Sequence, residues 1–241
     1  MKKKLTVITG GSSGLGLAAA QCLASETSLL LCARNESGLA KAKAQLAAFG
    51  ADVYTCSPLC FGKIAYKERP DGLLMVGPHV SMRLADLKLP DNALVVVTES
   101  IEKPGNLGAV LRSADASGVD AVIVCDPLTD MYNPNLIRSS IGAIFTVPVA
   151  TATSEEAIVW LKNNGIKIYT AQLQDSEWYY DTDMKGGTAI VMGTEATGLT
   201  NVWRKAADAH IKIPMLGRLD SLNVSVSAAI LMFEAVRQRN S

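Results

Sequence analysis

Residues 211–230 read I-K-I-P-M-L-G-R-L-D-S-L-N-V-S-V-S-A-A-I, and they predict a strand, a loop and a helix. Ile211 and Ile213 belong to a short apolar strand, which Pro214 ends because proline has no N–H to continue a ladder. Ser221 is the predicted N-cap of the helix. The apolar side chains of that helix recur at helical spacing: Leu222, Val226, Ala229, Ile230 and Phe233. Such a corner exposes backbone groups beside a helix N-terminus and can hold a small polar ligand, although an ordinary βα unit has the same pattern.

Two further stretches of interest precede this strand–loop–helix segment in the sequence. Residues 104–112 read P-G-N-L-G-A-V-L-R, and residues 191–199 read V-M-G-T-E-A-T-G-L. In order, the three stretches resemble the motifs N-x-G-x-x-x-R, G-x-E-x-x-G-L and I-P-M…S-L-N-V-S of the SpoU/TrmH class of SPOUT RNA 2′-O-ribose methyltransferases. Each pattern alone is weak, but three of them in the correct order are specific. The resemblance covers residues 61–241.

Composition and charge describe a soluble, globular chain. Its 241 residues suffice for one large or two modest domains, and 49% of them are hydrophobic and 19% charged. The 23 basic and 23 acidic side chains balance, so an RNA-binding protein of this composition needs its Lys and Arg on one face. No apolar run reaches membrane-spanning length, and the N-terminal Met-Lys-Lys-Lys leads into a strand and not into a signal-peptide core. We therefore expect a cytoplasmic protein without a membrane partner.

The cysteines give no indication of a metal centre. There are five, and none forms a C-x-x-C pair: Cys22, Cys32, Cys56, Cys60 and Cys125. Because the chain has only two histidines, Cys56 and Cys60 have no nearby ligands to complete a zinc site. We therefore expect reduced thiols and no bound metal.

Residues 1–56 follow a different pattern from the rest of the chain. Short strands at residues 5–8, 28–33 and 52–55 alternate with helical stretches, which predicts a partial Rossmann-like β-α-β-α-β segment. Its first turn, residues 9–16, reads T-G-G-S-S-G-L-G and resembles the opening of the short-chain dehydrogenase/reductases. That resemblance implies a dinucleotide pyrophosphate at the helix N-terminus, with Arg34 suited to a 2′-phosphate.

The remaining features of the reductase family are missing. None of the six tyrosines has a Lys four residues further on, so there is no Y-x-x-x-K pair for acid–base work in hydride transfer. The segment is therefore a fused structural module, a residual nucleotide-binding module or an artificial fusion.

Three regions are predicted along the chain. Relatives of the methyltransferase class often carry a small RNA-binding domain, similar to a ribosomal protein, ahead of the catalytic domain, and residues 61–76 resemble only its tail. We thus predict a reductase-like segment at residues 1–56, a linker with the remnant of an RNA-binding region at residues 57–91, and a SPOUT methyltransferase domain at residues 92–241.

Apolar strands alternate with helices in this last region, which predicts an α/β fold with a parallel sheet covered on both faces. The predicted strands are residues 93–97, 121–125, 147–150, 167–171, 189–192 and 210–213. The predicted helices are residues 107–117, 135–140, 154–163, 201–206 and 221–237. Topology rules place the last helix simply against the sheet because knots are rare. The SPOUT resemblance instead implies a C-terminal trefoil knot formed by the second and third motifs.

The same resemblance implies S-adenosylmethionine as the cofactor. Apolar residues are expected to form the walls of its adenine pocket: Leu173, Met192, Ile213, Met215 and Leu222. Gly193 and Gly198 are expected to let the backbone approach the cofactor closely, because neither carries a side chain. For Gly198, a role restricted to shaping a turn is the alternative.

The resemblance also implies a polar set for catalysis: Asn106, Arg112, Glu195, Ser221 and Asn223. The acceptor in this class is a ribose 2′-hydroxyl, a poor nucleophile until it is hydrogen-bonded or deprotonated. Arg112, on the same predicted helix as Asn106, either grips a phosphate and lowers the proton affinity of the hydroxyl or acts as the base, which is demanding for a guanidinium. Glu195 is expected to orient Asn106 or its own loop. Ser221 and Asn223 are expected to position the acceptor or the third motif, with a plain helix N-cap as the alternative for Ser221.

The sequence therefore favours methylation of a ribose 2′-hydroxyl in rRNA or tRNA. A homodimer with shared active sites is expected, because the last helix carries apolar residues on more faces than one sheet contact covers. In that dimer Arg112 of one subunit serves the cofactor of the other. Two alternatives stay open: an NAD(P)-binding, short-chain-reductase-like protein, and an RNA-binding protein that keeps the fold without activity. The sequence leaves open which RNA and which nucleotide are modified.

Overall fold

The computed structural model describes residues 4–9, 17, 21, 27–32, 36–48, 53–54, 58–64, 82–194 and 197–241. The chain divides into two compact units, Met1–Val80 and Ser81–Ser241. The glycine turn at residues 10–16, Arg34 and residues 65–76 lie outside the described residues. The reductase-like and RNA-binding interpretations of those positions therefore stay predictions, as do the three predicted regions.

The first unit contains a three-stranded parallel sheet. Its strands are β1 (Lys4–Thr9), β2 (Thr27–Cys32) and β3 (Val53–Tyr54), and its described helices are α1 (Glu36–Ala47) and α2 (Pro58–Ile64). Strand β2 lies between β1 and β3, and both pairings are parallel. Dinucleotide-binding sheets begin with three parallel strands in this order. Binding of a dinucleotide by this unit stays a prediction.

The second unit is built on a sheet of seven strands. They are β4 (Leu94–Glu99), β5 (Ala121–Cys125), β6 (Val149–Ala152), β7 (Lys167–Ala171), β8 (Glu177–Trp178), β9 (Thr188–Met192) and β10 (Ala209–Lys212). Their order across the sheet is β6-β5-β4-β9-β7-β10-β8, and every pairing is parallel. This confirms the predicted parallel α/β fold, whereas the trefoil knot stays a prediction.

Five helices accompany this sheet. They are α3 (Pro104–Ser117), α4 (Pro134–Ser140), α5 (Ser154–Asn163), α6 (Asn201–Ala206) and α7 (Val224–Arg239). Short 3₁₀ turns occupy Leu84–Asp86, Ala143–Phe145 and Tyr179–Asp181.

The sheet is covered on both faces, which explains why its strands read as continuous apolar runs. In β4, Leu94 and Val96 belong to a core cluster with residues of α3 and α7. Val95 and Val97 point to the opposite face and join a second cluster with residues of α5 and α6. Every residue of β4 is buried, so the strand shows no polar alternation.

Helix α3 brings the first motif to the carboxyl end of the sheet. It starts at Pro104, which suits the first helical turn because no backbone N–H is needed there. Asn106 consequently lies in that first turn. Gly108 lies against α4, where a Cβ would collide with Ser139 Oγ and with the carbonyl oxygen of Leu136. The glycine of the first motif thus allows α3 and α4 to approach closely.

The last helix begins later than predicted and buries a different face. Asn223, and not Ser221, is its N-cap, since the Asn223 side chain accepts the N–H of Ser225. The prediction of Ser221 as the cap is therefore wrong. The buried residues of α7 are Val224, Ala228, Leu231, Met232, Ala235 and Gln238. Val226 and Phe233 of the predicted apolar stripe remain exposed.

Candidate active site

A cavity of about 650 Å³ lies at the carboxyl ends of β7, β9 and β10. Ligand sites of parallel α/β sheets form at this edge. The cavity is lined by the loop that follows β7, the loop at residues 193–199 and the segment that follows β10. All seven expected cofactor residues line it: Leu173, Met192, Gly193, Gly198, Ile213, Met215 and Leu222. Their contacts with a cofactor stay predictions.

Hydrogen bonds join Thr194 to Thr197 and to Gly198 across the loop at residues 193–199. Thr194 N donates to Gly198 O at 3.3 Å, and Gly198 N donates to Thr194 O at 3.1 Å. Thr197 N donates to Thr194 Oγ1 at 3.0 Å. Gly198 has φ +68°, a conformation that side chains disfavour, and no crowding at its Cβ position. The left-handed backbone of this turn is therefore enough to explain a glycine at position 198, without any contact to a cofactor.

Gly193 has a different reason to be glycine. A Cβ at this position would lie 2.5 Å from Leu199 N and would also collide with the backbone of Gly198. The absence of a side chain at Gly193 therefore lets the backbone at residue 193 pack against the backbone of Gly198 and Leu199. This approach shapes the cavity wall between β9 and α6.

Two buried polar atoms beside the cavity have no hydrogen-bond partner in the described part of the chain. They are Gln172 Oε1 and Arg204 Nε, and both residues line the cavity. Buried polar groups are nearly always paired, with protein, water or a ligand. Neither residue was predicted from the sequence as part of the site. Gln172 directly follows β7 at the ligand-binding edge of the sheet, which was an available signal, whereas no pattern distinguishes Arg204.

The first and third motifs meet through a pair of amides. Asn223 Nδ2 donates to Asn106 Oδ1 at 3.1 Å. Asn223 Oδ1 accepts from Ser225 N at 3.0 Å and from Ser225 Oγ at 2.6 Å. These contacts fix which end of the Asn223 amide faces Asn106, and Asn223 itself lines the cavity.

The other expected catalytic residues are placed differently. Ser221 is exposed, lines the cavity, and donates from Oγ to Asp220 Oδ1 at 3.1 Å. Glu195 lies outside the described residues. Arg112 is exposed on α3 and does not line the cavity. Six residues along an α-helix correspond to about 600° of rotation, so Arg112 and Asn106 point about 120° apart.

The described residues contain no group of three or more His, Cys, Asp or Glu side chains suited to a metal ion. None of their helices combines the length and apolarity needed to cross a bilayer.

Residues 93–233 match the SpoU rRNA Methylase family. The 23S rRNA (guanosine(2553)-2′-O)-methyltransferase RlmP of Bacillus subtilis is 30% identical over 184 residues, which are 76% of this chain and 72% of the relative. The 23S rRNA (guanosine-2′-O-)-methyltransferase RlmB of Xanthomonas axonopodis is 38% identical over 148 residues. That alignment covers 61% of this chain and 59% of the relative, less than two thirds of its length.

Solved structures give the same result. A crystal structure of an RNA 2′-O ribose methyltransferase superposes with a TM-score of 0.70 at 31% identity, covering 100% of this chain and 83% of the other. An AdoMet-bound rRNA methyltransferase from Sinorhizobium meliloti superposes with a TM-score of 0.77 at 25% identity, covering 98% of this chain and 80% of the other. The fold and the cavity thus define a methyltransferase of the SpoU type. The chain belongs to the SpoU rRNA Methylase family, which confirms the predicted class.

Proposed function

We propose that this SpoU-family chain, an S-adenosylmethionine-dependent RNA 2′-O-methyltransferase, holds its cofactor in the cavity at the carboxyl ends of β7, β9 and β10. Its acceptor is a ribose 2′-hydroxyl of rRNA or tRNA. The observation that carries the proposal is the convergence of the seven expected cofactor residues and Asn223 on this cavity, with Asn106 hydrogen-bonded to Asn223. The named relatives support RNA as the substrate.

The cavity fits S-adenosylmethionine in size and in chemistry. Small-molecule pockets span roughly 300–1,000 Å³, and this one measures about 650 Å³. Met192, Ile213 and Leu222 provide apolar walls for a purine ring, and Gln172 and Arg204 offer a buried acceptor and a buried donor. When bound, S-adenosylmethionine supplies a methyl group activated by the sulfonium charge. The chain has to position the acceptor hydroxyl and ease the loss of its proton.

The amide pair is suited to positioning the acceptor. Asn223 is held by Ser225 on one side and contacts Asn106 on the other, so both amides are oriented before RNA arrives. Preorganised polar groups at a reacting centre raise the rate because they need no rearrangement in the transition state. Asn106 and Asn223 therefore hold the ribose or its flanking phosphate at the cavity.

Arg112 acts through its charge, and it acts from the partner subunit. It is exposed, and it points away from the helix face that carries Asn106. A guanidinium beside the acceptor would bind the adjacent phosphate and favour the ionised form of the hydroxyl. Its position outside the cavity of its own chain is compatible with a role at the cavity of a second subunit.

An unpartnered apolar stripe supports that homodimer. Val226 and Phe233 are 46% and 49% exposed on α7. Ile230 lies between them at helical spacing and is only partly buried. The stripe lies on the outer side of a helix whose opposite face packs in the core. A symmetric dimer that pairs this stripe with its copy would cover it.

Calorimetric titration with S-adenosylhomocysteine tests the cofactor site, and transfer of labelled methyl from S-adenosylmethionine to rRNA and tRNA transcripts tests the reaction. We expect binding, and label on a ribose 2′-oxygen. Binding of NADPH without S-adenosylhomocysteine would favour the reductase-like alternative. RNA binding without cofactor binding would favour the non-catalytic alternative. The cytoplasmic location stays a prediction.

A further inference from the structure

Glu99 is a buried carboxylate that lies outside all three sequence motifs. It is the last residue of β4, and it is 3% exposed. Its Oε2 accepts from Thr200 N at 2.9 Å, and its Oε1 accepts from Thr200 Oγ1 at 2.7 Å. The Glu99 carboxylate therefore accepts hydrogen bonds from both the backbone N–H and the hydroxyl of Thr200, a residue 101 positions away in the chain.

Hydrogen bonds from Thr200 reach both oxygens of the Glu99 carboxylate. No described cation forms a salt bridge with it. Ser154 Oγ lies 3.2 Å from Glu99 Oε1 and 2.6 Å from Asp126 Oδ2. A hydroxyl has a single proton, so the shorter contact with Asp126 takes it. Thr200 consequently supplies the main hydrogen bonds to Glu99, and buried carboxylates need such donors.

The same polar cluster fixes the start of α6. Trp203 Nε1 donates to Ser154 Oγ at 2.9 Å, and Trp203 is fully buried. Thr200 precedes α6, and Trp203 lies within it. The carboxyl end of β4, through Glu99, and the first residue of α5, Ser154, thus hold this short helix at two points. Burial raises the pKa of the adjacent Cys125 thiol, and the charges of Asp126 and Glu99 add to the effect.

Thr200 connects this cluster to the cavity. It directly follows the loop at residues 193–199, which supplies five lining residues: Gly193, Thr194, Thr197, Gly198 and Leu199. Neither Glu99 nor Thr200 lines the cavity itself. Gly193 directly follows β9 at the start of the loop, and the contact of Thr200 with Glu99 anchors the end of the loop.

We propose that Glu99 is a positioning residue for the cofactor: by holding Thr200, it keeps the adjoining cavity-lining residues Thr197, Gly198 and Leu199 in the arrangement that binds S-adenosylmethionine. This inference rests on the proposed function, because the same cavity has to be the cofactor site. It assigns a role in cofactor affinity to a residue that does not touch the cofactor.

Matched variants of Thr200 test the anchor without disturbing the core. Thr200→Val keeps the shape and removes the hydroxyl donor, and Thr200→Ser keeps the hydroxyl. We expect the Val variant to bind S-adenosylhomocysteine about tenfold more weakly, because it loses one hydrogen bond to a carboxylate. The Ser variant should bind like the wild type. Thr188→Val is the control. It removes a buried hydroxyl that donates to Gly186 O, at the start of β9 and far along the strand from the cavity.

A double-variant cycle tests the pairing with Glu99. Glu99→Leu should weaken S-adenosylhomocysteine binding at least as much as Thr200→Val does, and adding Thr200→Val to it should weaken binding no further. In the cofactor-free protein, hydrogen exchange of the Thr200 amide should accelerate in the Glu99→Leu variant, because its acceptor is gone.

The possible results separate the two hypotheses. A wild-type chain that does not bind S-adenosylhomocysteine overturns the proposed function. Wild-type binding that Thr200→Val leaves unchanged overturns the role of Glu99, and so does an equal loss in Thr188→Val, since the effect would then follow stability and not the anchor. Additive losses in the double variant would also contradict the pairing.

Discussion

Asn223 Nδ2 donates to Asn106 Oδ1 at 3.1 Å and joins the starts of two helices that lie 117 residues apart in sequence. Asn223 has a second role in the same position, because its Oδ1 caps α7 through Ser225 N. One side chain therefore serves both the stability of the last helix and the geometry of the site. The two roles can be separated by substitution.

Asn223→Ser should separate the helix cap from the site. Serine caps helices about as well as asparagine, but its hydroxyl is too short to replace the contact with Asn106. We expect unfolding stability within about 0.5 kcal/mol of the wild type and a fall in kcat of tenfold or more. Thermal unfolding and methyl-transfer kinetics measure the two effects. Asn223→Ala, the comparison variant, should lose the cap as well, at a cost of about 1 kcal/mol. Full activity in the serine variant would contradict the positioning role.

Arg112→Ala should abolish methyl transfer and leave cofactor binding nearly intact. Arg112 is exposed and forms no ion pair with the described residues, so its removal should change stability by less than about 0.5 kcal/mol. Calorimetry with S-adenosylhomocysteine and single-turnover methylation measure the two properties. The exposed Arg138 on α4 provides the matched Arg→Ala control. Joint loss of binding and activity in the Arg112 variant would mean that Arg112 is structural.

Gly198→Ala should weaken cofactor binding through backbone strain. Gly165 offers a matched control, because its φ is +67° against +68° for Gly198, and neither position is crowded. Each alanine should cost about 1–2 kcal/mol of stability, since both positions are left-handed. Only Gly198→Ala should also lower the affinity for S-adenosylhomocysteine, because Gly165 precedes β7 at the opposite edge of the sheet. Equal affinities in the two variants would show that the loop at residues 193–199 does not contact the cofactor.

The sequence predicted the sheet well because burial on both faces leaves an unambiguous signal. Strands β4 and β5 contain continuous apolar runs, Leu94–Val97 and Ala121–Cys125, and alternate with helical stretches, a pattern typical of a parallel sheet covered on both faces. The exposed two-residue strand β8 carries no such signal and was not predicted. Two of the segments that line the cavity, the loop at residues 193–199 and the segment after β10, were located from their motifs, and not from any periodicity.

The parts that were missed depend on tertiary contacts. Ser221 and Asn223 are both good helix caps by residue type. In the folded chain Asn223 is the cap, and it is also the residue that contacts Asn106. Glu99 ends a buried strand, but only the folded chain brings Thr200 to it. The buried face of α7 was misassigned because the helix is apolar around most of its circumference, so its apolar periodicity did not single out one face.

Phe233→Glu should disrupt the proposed dimer. Phe233 is 49% exposed in the single chain, so a charge there costs little within the subunit, whereas burying it in a symmetric interface places two like charges together. We expect a monomer in sedimentation velocity at micromolar concentration, with the thermal unfolding of the subunit little changed. Gln45→Glu, at an exposed position of α1, adds the same single negative charge and is the control. A dimer that persists in the Phe233 variant would place the interface elsewhere.

Mixed dimers should reveal whether the active sites are shared. One subunit carries Arg112→Ala and keeps the Asn106–Asn223 pair, while the other carries Asn223→Ser and keeps Arg112. If Arg112 serves the partner's cavity, the cavity of the first subunit receives the intact Arg112 of the second and becomes active. Random pairing of equal amounts makes about half of all dimers mixed, each with one complete site, so activity should recover to about a quarter of the wild type. If Arg112 serves its own cavity, both cavities of a mixed dimer stay defective, and the mixture should be no more active than its parents. Tagged co-purification of the mixed dimer ensures that absent activity reflects the site and not failed exchange of subunits.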